Sequence, residues 1–123
     1  MIALLAVGAG GALGSIARYS LSGIIARYVS AFPVAIMVVN ILGSFLLACI
    51  VSSLARHSQG SQAEYLLLAV GFCGGFTTFS TFSMESWQLL STGKFALAAA
   101  YILGSVILSI AGFGLGVIAM RNL

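Results

Sequence analysis

The sequence predicts an all-α membrane protein: four transmembrane helices in one domain, residues 1–123, with the third helix broken at midspan and copies paired antiparallel. Three observations carry that prediction. Hydrophobic residues make up 61% of the chain and charged residues only 6%, with a mean hydropathy of +1.18. A soluble domain is about a quarter charged, so this chain cannot cover itself with a solvated surface. Apolar runs also recur at the length a bilayer demands, about 20 residues, over approximately 3–25, 34–54, 63–90 and 95–120. Finally, the third run is interrupted by Gly-Phe-Cys-Gly-Gly-Phe-Thr-Thr-Phe-Ser-Thr-Phe-Ser from Gly71 to Ser83, with three glycines, five hydroxyls and four phenylalanines. Lipid offers no hydrogen bonds to freed backbone groups. A break there is tolerated only where it is buried in protein or lines a polar cavity, which makes this segment the leading site of function.

The first apolar run has neither a basic n-region nor a well-placed small-residue cleavage site, so it reads as a span and not as a signal peptide. Arg18 lies late in it. Burying an ionisable group costs several kcal/mol, and three roles stay open: a functional charge, a side chain snorkelling to the headgroups, or a donor to the terminal carbonyls of a broken helix. In the second span Asn40 is followed one turn later by Ser44 on the same face. That amide is either interhelical glue or a donor lining a pathway. Cys49 and Cys73 fall inside spans and read as small hydrophobes, with neither a disulfide nor a metal assigned.

In the third span Glu64 sits at the aqueous mouth as a solvated helix-start acid. Gly71, Gly74 and Gly75 permit non-helical dihedrals. Carbonyls freed around them make a cation site of the kind found in discontinuous membrane helices. Phe79 and Phe82, spaced i and i+3, lie among Ser80, Thr81 and Ser83. Their positive ring edges suit an anion without holding it as a lysine would. Phe72 and Phe76 read as ordinary packing. Glu85, two residues past the segment, is the one carboxylate able to sit near a route. In the fourth span Tyr101, Ser105 and Ser109 recur at i, i+4 and i+8, a stripe about 80° wide that forms a polar track. Gly10-x-x-x-Gly14, Gly71-x-x-x-Gly75 and Gly112-x-x-x-Gly116 offer close-approach surfaces that support oligomerisation.

Arg56 and Arg121 lie on the side of the membrane shared by the termini, and Arg27 and Lys94 on the other. His57 and the terminal amine tilt this balance only slightly. Orientation follows an excess of Lys and Arg, and none exists here. Either copies insert both ways and pair antiparallel, or five positive charges are too few for the rule to act. The basic residues are scattered, which excludes a nucleic-acid footprint. With one His and two acids, no nucleophile–base pair or metal-ligand cluster is available to an enzyme. A small multidrug resistance transporter, the alternative function, needs a carboxylate in its first span, where this chain has Arg18 and no acid. A non-transporting scaffold held by glycine faces is a further possibility.

The third-span motif followed by Met84-Glu85 closely resembles the signature of the Fluc (CrcB) family of fluoride channels. The likeness extends along the whole chain through Gly10-Gly11-x-x-Gly14 with Arg18, Val39-Asn40-x-x-Gly43, and the Tyr101/Ser105/Ser109 stripe. The resemblance implies an antiparallel homodimer in the cell inner (plasma) membrane, with paired pores that export fluoride passively. It assigns Phe79 and Phe82 to ring edges along the path. Asn40, Ser80, Thr81, Tyr101, Ser105 and Ser109 become the polar track, with Glu85 beside it. The carbonyls of Gly74 and Thr77 become ligands of a structural Na+ that is not transported, and Arg18 a structural or vestibule residue. One departure is visible: Ala35-Ile36-Met37 stands where the family commonly has Gly-Thr-Leu, so a hydroxyl is lost at Ile36. Some relatives pair unlike subunits, but the intact third-span motif and balanced charges favour the homodimer.

Overall fold

A computed structural model describes residues 1–30, 32–56 and 61–123, and His57 lies outside the described residues. The chain is all-helical: α1 (Ile2–Tyr28), α2 (Val34–Arg56), α3 (Gln62–Tyr65), a π-helical stretch (Leu66–Cys73), α4 (Gly74–Phe76), α5 (Phe79–Ser91) and α6 (Phe95–Arg121). Four helical segments are long and apolar enough to cross a membrane: Ile2–Tyr28, Val34–Arg56, Gln62–Ser91 and Phe95–Arg121.

Local chemistry sets the ends of these segments. At the start of α3, Ser61 Oγ accepts from Glu64 N at 3.2 Å, and Glu64 Oε2 accepts from Ser61 N at 3.1 Å. This reciprocal cap satisfies first-turn amides that have no helical partner. Glu64 is therefore an exposed capping acid. Between α5 and α6, Gly93 adopts φ +74°, with Lys94 N bonded to Leu89 O at 2.9 Å and Gly93 N to Leu90 O at 3.0 Å. That Schellman stop needs a left-handed residue, which glycine supplies without steric cost.

The spans associate in two pairs, α1 along the third span and α2 along α6. The glycine motifs make both pairings. Gly10 and Gly14 are the only buried residues of α1. A β-carbon at Gly10 would strike Leu67 O and lie 3.0 Å from Gly71 Cα; one at Gly75 would strike Gly11 O. On the other pair, a β-carbon at Gly116 would lie 2.7 Å from Phe45 O, and one at Gly112 would lie 3.1 Å from Ile41 O. The three motifs are thus consumed inside the chain and not held open for an oligomer. When lipid is as apolar as the side chains, backbone proximity supplies the packing that hydrophobicity cannot.

A cluster of Ile36, Phe82, Leu89, Ala98 and Tyr101 forms the core where α5, α6 and the start of α2 meet. Among the described residues, Tyr101 of this cluster and, outside it, Val39 and Cys73 are the largest fully buried side chains. Ile36, where the resemblance leads to the expectation of a hydroxyl, is packed in this cluster.

Candidate functional site

The helical path of the third span stops at Thr77 and Thr78, both in extended conformation (ψ 156° and 121°), and resumes at Phe79. The glycines do not make the interruption. Gly74 is helical at φ −63°, ψ −39°, and Gly93 is the only described residue with positive φ. Gly71 and Gly75 instead accommodate the backbone of α1, and the hydroxyl residues carry the change of direction. Eight residues before the interruption are π-helical, a form that is rare and concentrates at functional sites.

Three side chains from other spans hold the interruption open. Asn40 of α2 uses both ends of its amide on the backbone of one residue: Nδ2 donates to Thr78 O at 3.1 Å, and Oδ1 accepts from Thr78 N at 2.9 Å. Asn40 is itself buttressed by Ser44 Oγ, which donates to its carbonyl at 2.8 Å. From α1, Arg18 Nε donates to Gly75 O at 3.1 Å and Ser15 Oγ to the same oxygen at 3.4 Å. The last carbonyls of a helix are unsatisfied and partly negative, so a guanidinium there completes the end of α4.

Thr78 then starts α5. Its Oγ1 accepts from Thr81 N at 3.3 Å, donates to Thr81 Oγ1 at 3.1 Å, and lies 3.3 Å from Ser80 Oγ. Threonine at an N-cap satisfies an orphan amide of the new helix. The sequence alone gives Thr78, Ser15, Ser44 and Gly43 no individual role, although Thr78 lies in the interrupted segment and Gly43 in the second-span motif. Thr78 had a signal, since a threonine just ahead of a helical run is a preferred N-cap residue. Ser15 and Ser44 had none beyond their position one turn from Arg18 and Asn40.

The expected site residues divide between two clefts. One, of about 570 Å³, is lined by Asn40, Gly74, Thr77, Phe79, Phe82, Ser105 and Ser109, together with Gly43, Ser44, Cys73 and Thr78. The other, of about 470 Å³, is lined by Thr81 and Glu85 with Arg27, Ile36, Tyr19 and Ser22. Between them stands an aromatic series. Phe79 and Phe82 have centroids 5.3 Å apart, Phe82 and Tyr101 5.4 Å, and Phe32 meets Tyr101 edge-on at 5.7 Å. Tyr101 Oη donates to Glu85 Oε2, so Tyr101 touches one cleft through Phe82 and the other through Glu85. Ser80 is exposed beside Thr78.

Two features stand out chemically. Ser105 is 4% exposed, and its Oγ has no hydrogen-bond partner among the described residues. A helical serine ordinarily donates to the carbonyl four residues back, as Ser86 does to Phe82 O at 2.7 Å. Ser105 does not, and its donor is free for a ligand in the cleft. Phe79 is 76% exposed although Phe82, one turn on, is buried. A large ring left open beside the cleft is available to a ligand, to a second chain or to lipid.

Arg18→Met is expected to lower the thermal stability of the purified protein by about 1–2 kcal/mol, the scale of a charge-assisted hydrogen bond discounted for partial exposure. Unfolding in detergent measures it, and an unchanged melting temperature would remove Arg18 from the support of α4.

The spans and the clefts around an interrupted helix define a multi-pass α-helical membrane protein whose candidate site lies in clefts beside that interruption. Residues 5–117 match the family model described as CrcB-like protein, Camphor Resistance (CrcB). A protein of Geobacter sulfurreducens named Fluoride-specific ion channel FluC is 43% identical, covering 100% of both chains. Proteins of the same name from Cereibacter sphaeroides (strain ATCC 17029 / ATH 2.4.9) and Nitrobacter winogradskyi are 46% and 41% identical, covering 97% and 96% of this chain and 94% of each relative. The chain belongs to the CrcB family.

Proposed function

We infer that this protein is a fluoride-selective channel, which lowers cytoplasmic fluoride by passive export across the cell membrane and so protects against fluoride toxicity. The observation that carries the reading is full-length similarity to relatives named fluoride-specific ion channels, at 41–46% identity for those described above. The geometry agrees with it. Fluoride is small and strongly hydrated, so a path for it must replace water with many hydrogen-bond donors and hold none of them too tightly. Asn40, Ser105 and Ser109 share a cleft with Phe79 and Phe82, whose ring edges carry partial positive charge. Ser80 and Thr81 open α5 beside it. Tyr101 and Glu85 link that cleft to the second one, where Arg27 supplies positive charge.

The working unit in this reading is an antiparallel homodimer with the interruption at mid-membrane. Its support is the balanced placement of Arg27 and Lys94 against Arg56 and Arg121, and the exposure of Phe79 and Gly74 on one chain. Gly74 and Thr77 would hold a structural Na+ through their carbonyls. Thr78 N–H, the amide that would bond the Gly74 carbonyl in an uninterrupted helix, is engaged by Asn40 instead. Carbonyls at a helix C-terminus suit a hard cation, which takes oxygen ligands. When bound, the ion would neutralise these carbonyls and tie the two copies together.

Liposomes loaded with fluoride and carrying the purified protein are expected to release it rapidly while retaining chloride. Equal rates for the two ions, or no release, would sink the reading. Phe79→Ile separates a channel from a scaffold. Because the ring is largely exposed, the core loses only its contact with Phe82, and flux is expected to fall about tenfold or more while the dimer survives.

A further inference from the structure

Helix α2 meets the interruption with two residues on one face, three positions apart. Asn40 grips the backbone of Thr78. Gly43 is buried opposite the preceding residue: a β-carbon there would collide with Thr77 Cγ2 and lie 3.1 Å from Phe76 Cδ1. Thr77 is thereby held through its whole side chain. Its methyl fills the notch left by Gly43, and its Oγ1 and backbone N–H both donate to Cys73 O at 2.9 Å. The carbonyl is the one polar group of Thr77 outside this grip, and Thr77 lines the larger cleft.

We propose that Gly43 is a positioning residue for the Thr77 carbonyl: its missing side chain seats the Thr77 methyl and so sets the orientation in which that carbonyl is offered to a hard cation. The inference rests on the cation reading above and names the residue on another span that enforces it. Glycine is needed for a steric reason alone, since Gly43 lies within a regular helix. A β-carbon at residue 43 would press on the Thr77 methyl, which yields only by giving up the Oγ1 bond to Cys73 O or by moving the Thr77 backbone and rotating its peptide.

The consequence is a size exchange. Thr77→Ser keeps the hydroxyl bonded to Cys73 and deletes the methyl, making room for a β-carbon at residue 43. Thr77→Val keeps the branch and deletes the hydroxyl, making no room. The experiment compares wild type, Gly43→Ala, Gly43→Ala with Thr77→Ser, and Gly43→Ala with Thr77→Val, all full-length and purified. Thermal unfolding is titrated with Na+ against N-methylglucamine, and fluoride efflux is measured in parallel. Gly43→Ala is expected to raise the half-effective Na+ concentration about tenfold or more, the scale of an overpacked contact. Adding Thr77→Ser is expected to bring it back within about threefold of wild type, the coupling that touching residues show. Adding Thr77→Val is not.

An unchanged Na+ midpoint in Gly43→Ala overturns the inference, as does equal rescue by serine and valine. If Gly43→Ala yields no folded protein, recovery of folded protein by the serine exchange alone supports the inference, and failure to recover overturns it. A wild-type protein indifferent to Na+ overturns the cation reading itself. Rescue of fluoride efflux by serine and not valine then still shows that Gly43 sets Thr77, and its absence shows that it does not.

Discussion

Gly14→Ala is expected to leave no stably folded protein. The added β-carbon would strike Phe72 O and come within 2.8 Å of Phe76 N. Both are backbone atoms, so no change of rotamer relieves the contact, and α1 must move bodily away from the third span. That displacement also opens the contacts at Gly10, whose own β-carbon would strike Leu67 O, and pulls Arg18 and Ser15 from Gly75 O. Overpacking a core site costs about 1–3 kcal/mol when side chains can yield. Here a whole helix must yield, against a total stability of about 5–15 kcal/mol. The measurement is the yield of monodisperse protein after extraction, followed by thermal unfolding. Gly23→Ala is the control, because nothing lies within 4 Å of a β-carbon there. A Gly14→Ala protein that melts like wild type would contradict the close approach of these helices.

Asn40→Leu is expected to cut fluoride efflux about a hundredfold while preserving the four spans, since each unmade hydrogen bond at a buried group costs about 1–3 kcal/mol. Leucine fills a similar volume, so the change isolates the amide. Thr78 N–H and Thr78 O both lose their partner, and the extended peptide between α4 and α5 loses the group that holds it from α2. The N-cap that Thr78 provides to α5 shifts with it, and Phe79, Ser80 and Thr81 follow. Ser44→Ala deletes only the bond to the Asn40 carbonyl and is expected to leave flux within about threefold of wild type, as one partly buried hydrogen bond implies. Wild-type efflux in Asn40→Leu would show that the interruption holds itself.

Much of the membrane architecture was legible because it is a matter of composition. Long runs of Leu, Ile, Val and Ala can only be helices in lipid, where every backbone group must be satisfied within its own segment. The polar candidates were legible for the same reason, since Asn40, Arg18 and Glu85 are conspicuous among apolar neighbours. Their partners were not. Nothing along the chain says that Asn40 reaches Thr78, thirty-eight residues away, or that Arg18 reaches Gly75, fifty-seven away. The glycines misled in both roles assigned to them. They were expected to bend the third span and to join subunits, yet Gly71 and Gly75 are helical and pack against α1 of the same chain. Glycine permits either outcome, and only the neighbouring helix decides which.

From its residues alone, the chain is committed to four membrane-crossing helices, to a polar segment in the third of them, and to a short roster of side chains that must find partners. These follow from the cost of leaving polar groups unpaired in an apolar medium, which acts on each segment separately. Which residue carries the interruption, which carbonyl each donor meets, and how the roster divides between two clefts were decided by tertiary packing. Those outcomes depend on distances between spans far apart in sequence, set where glycine lets one backbone touch another.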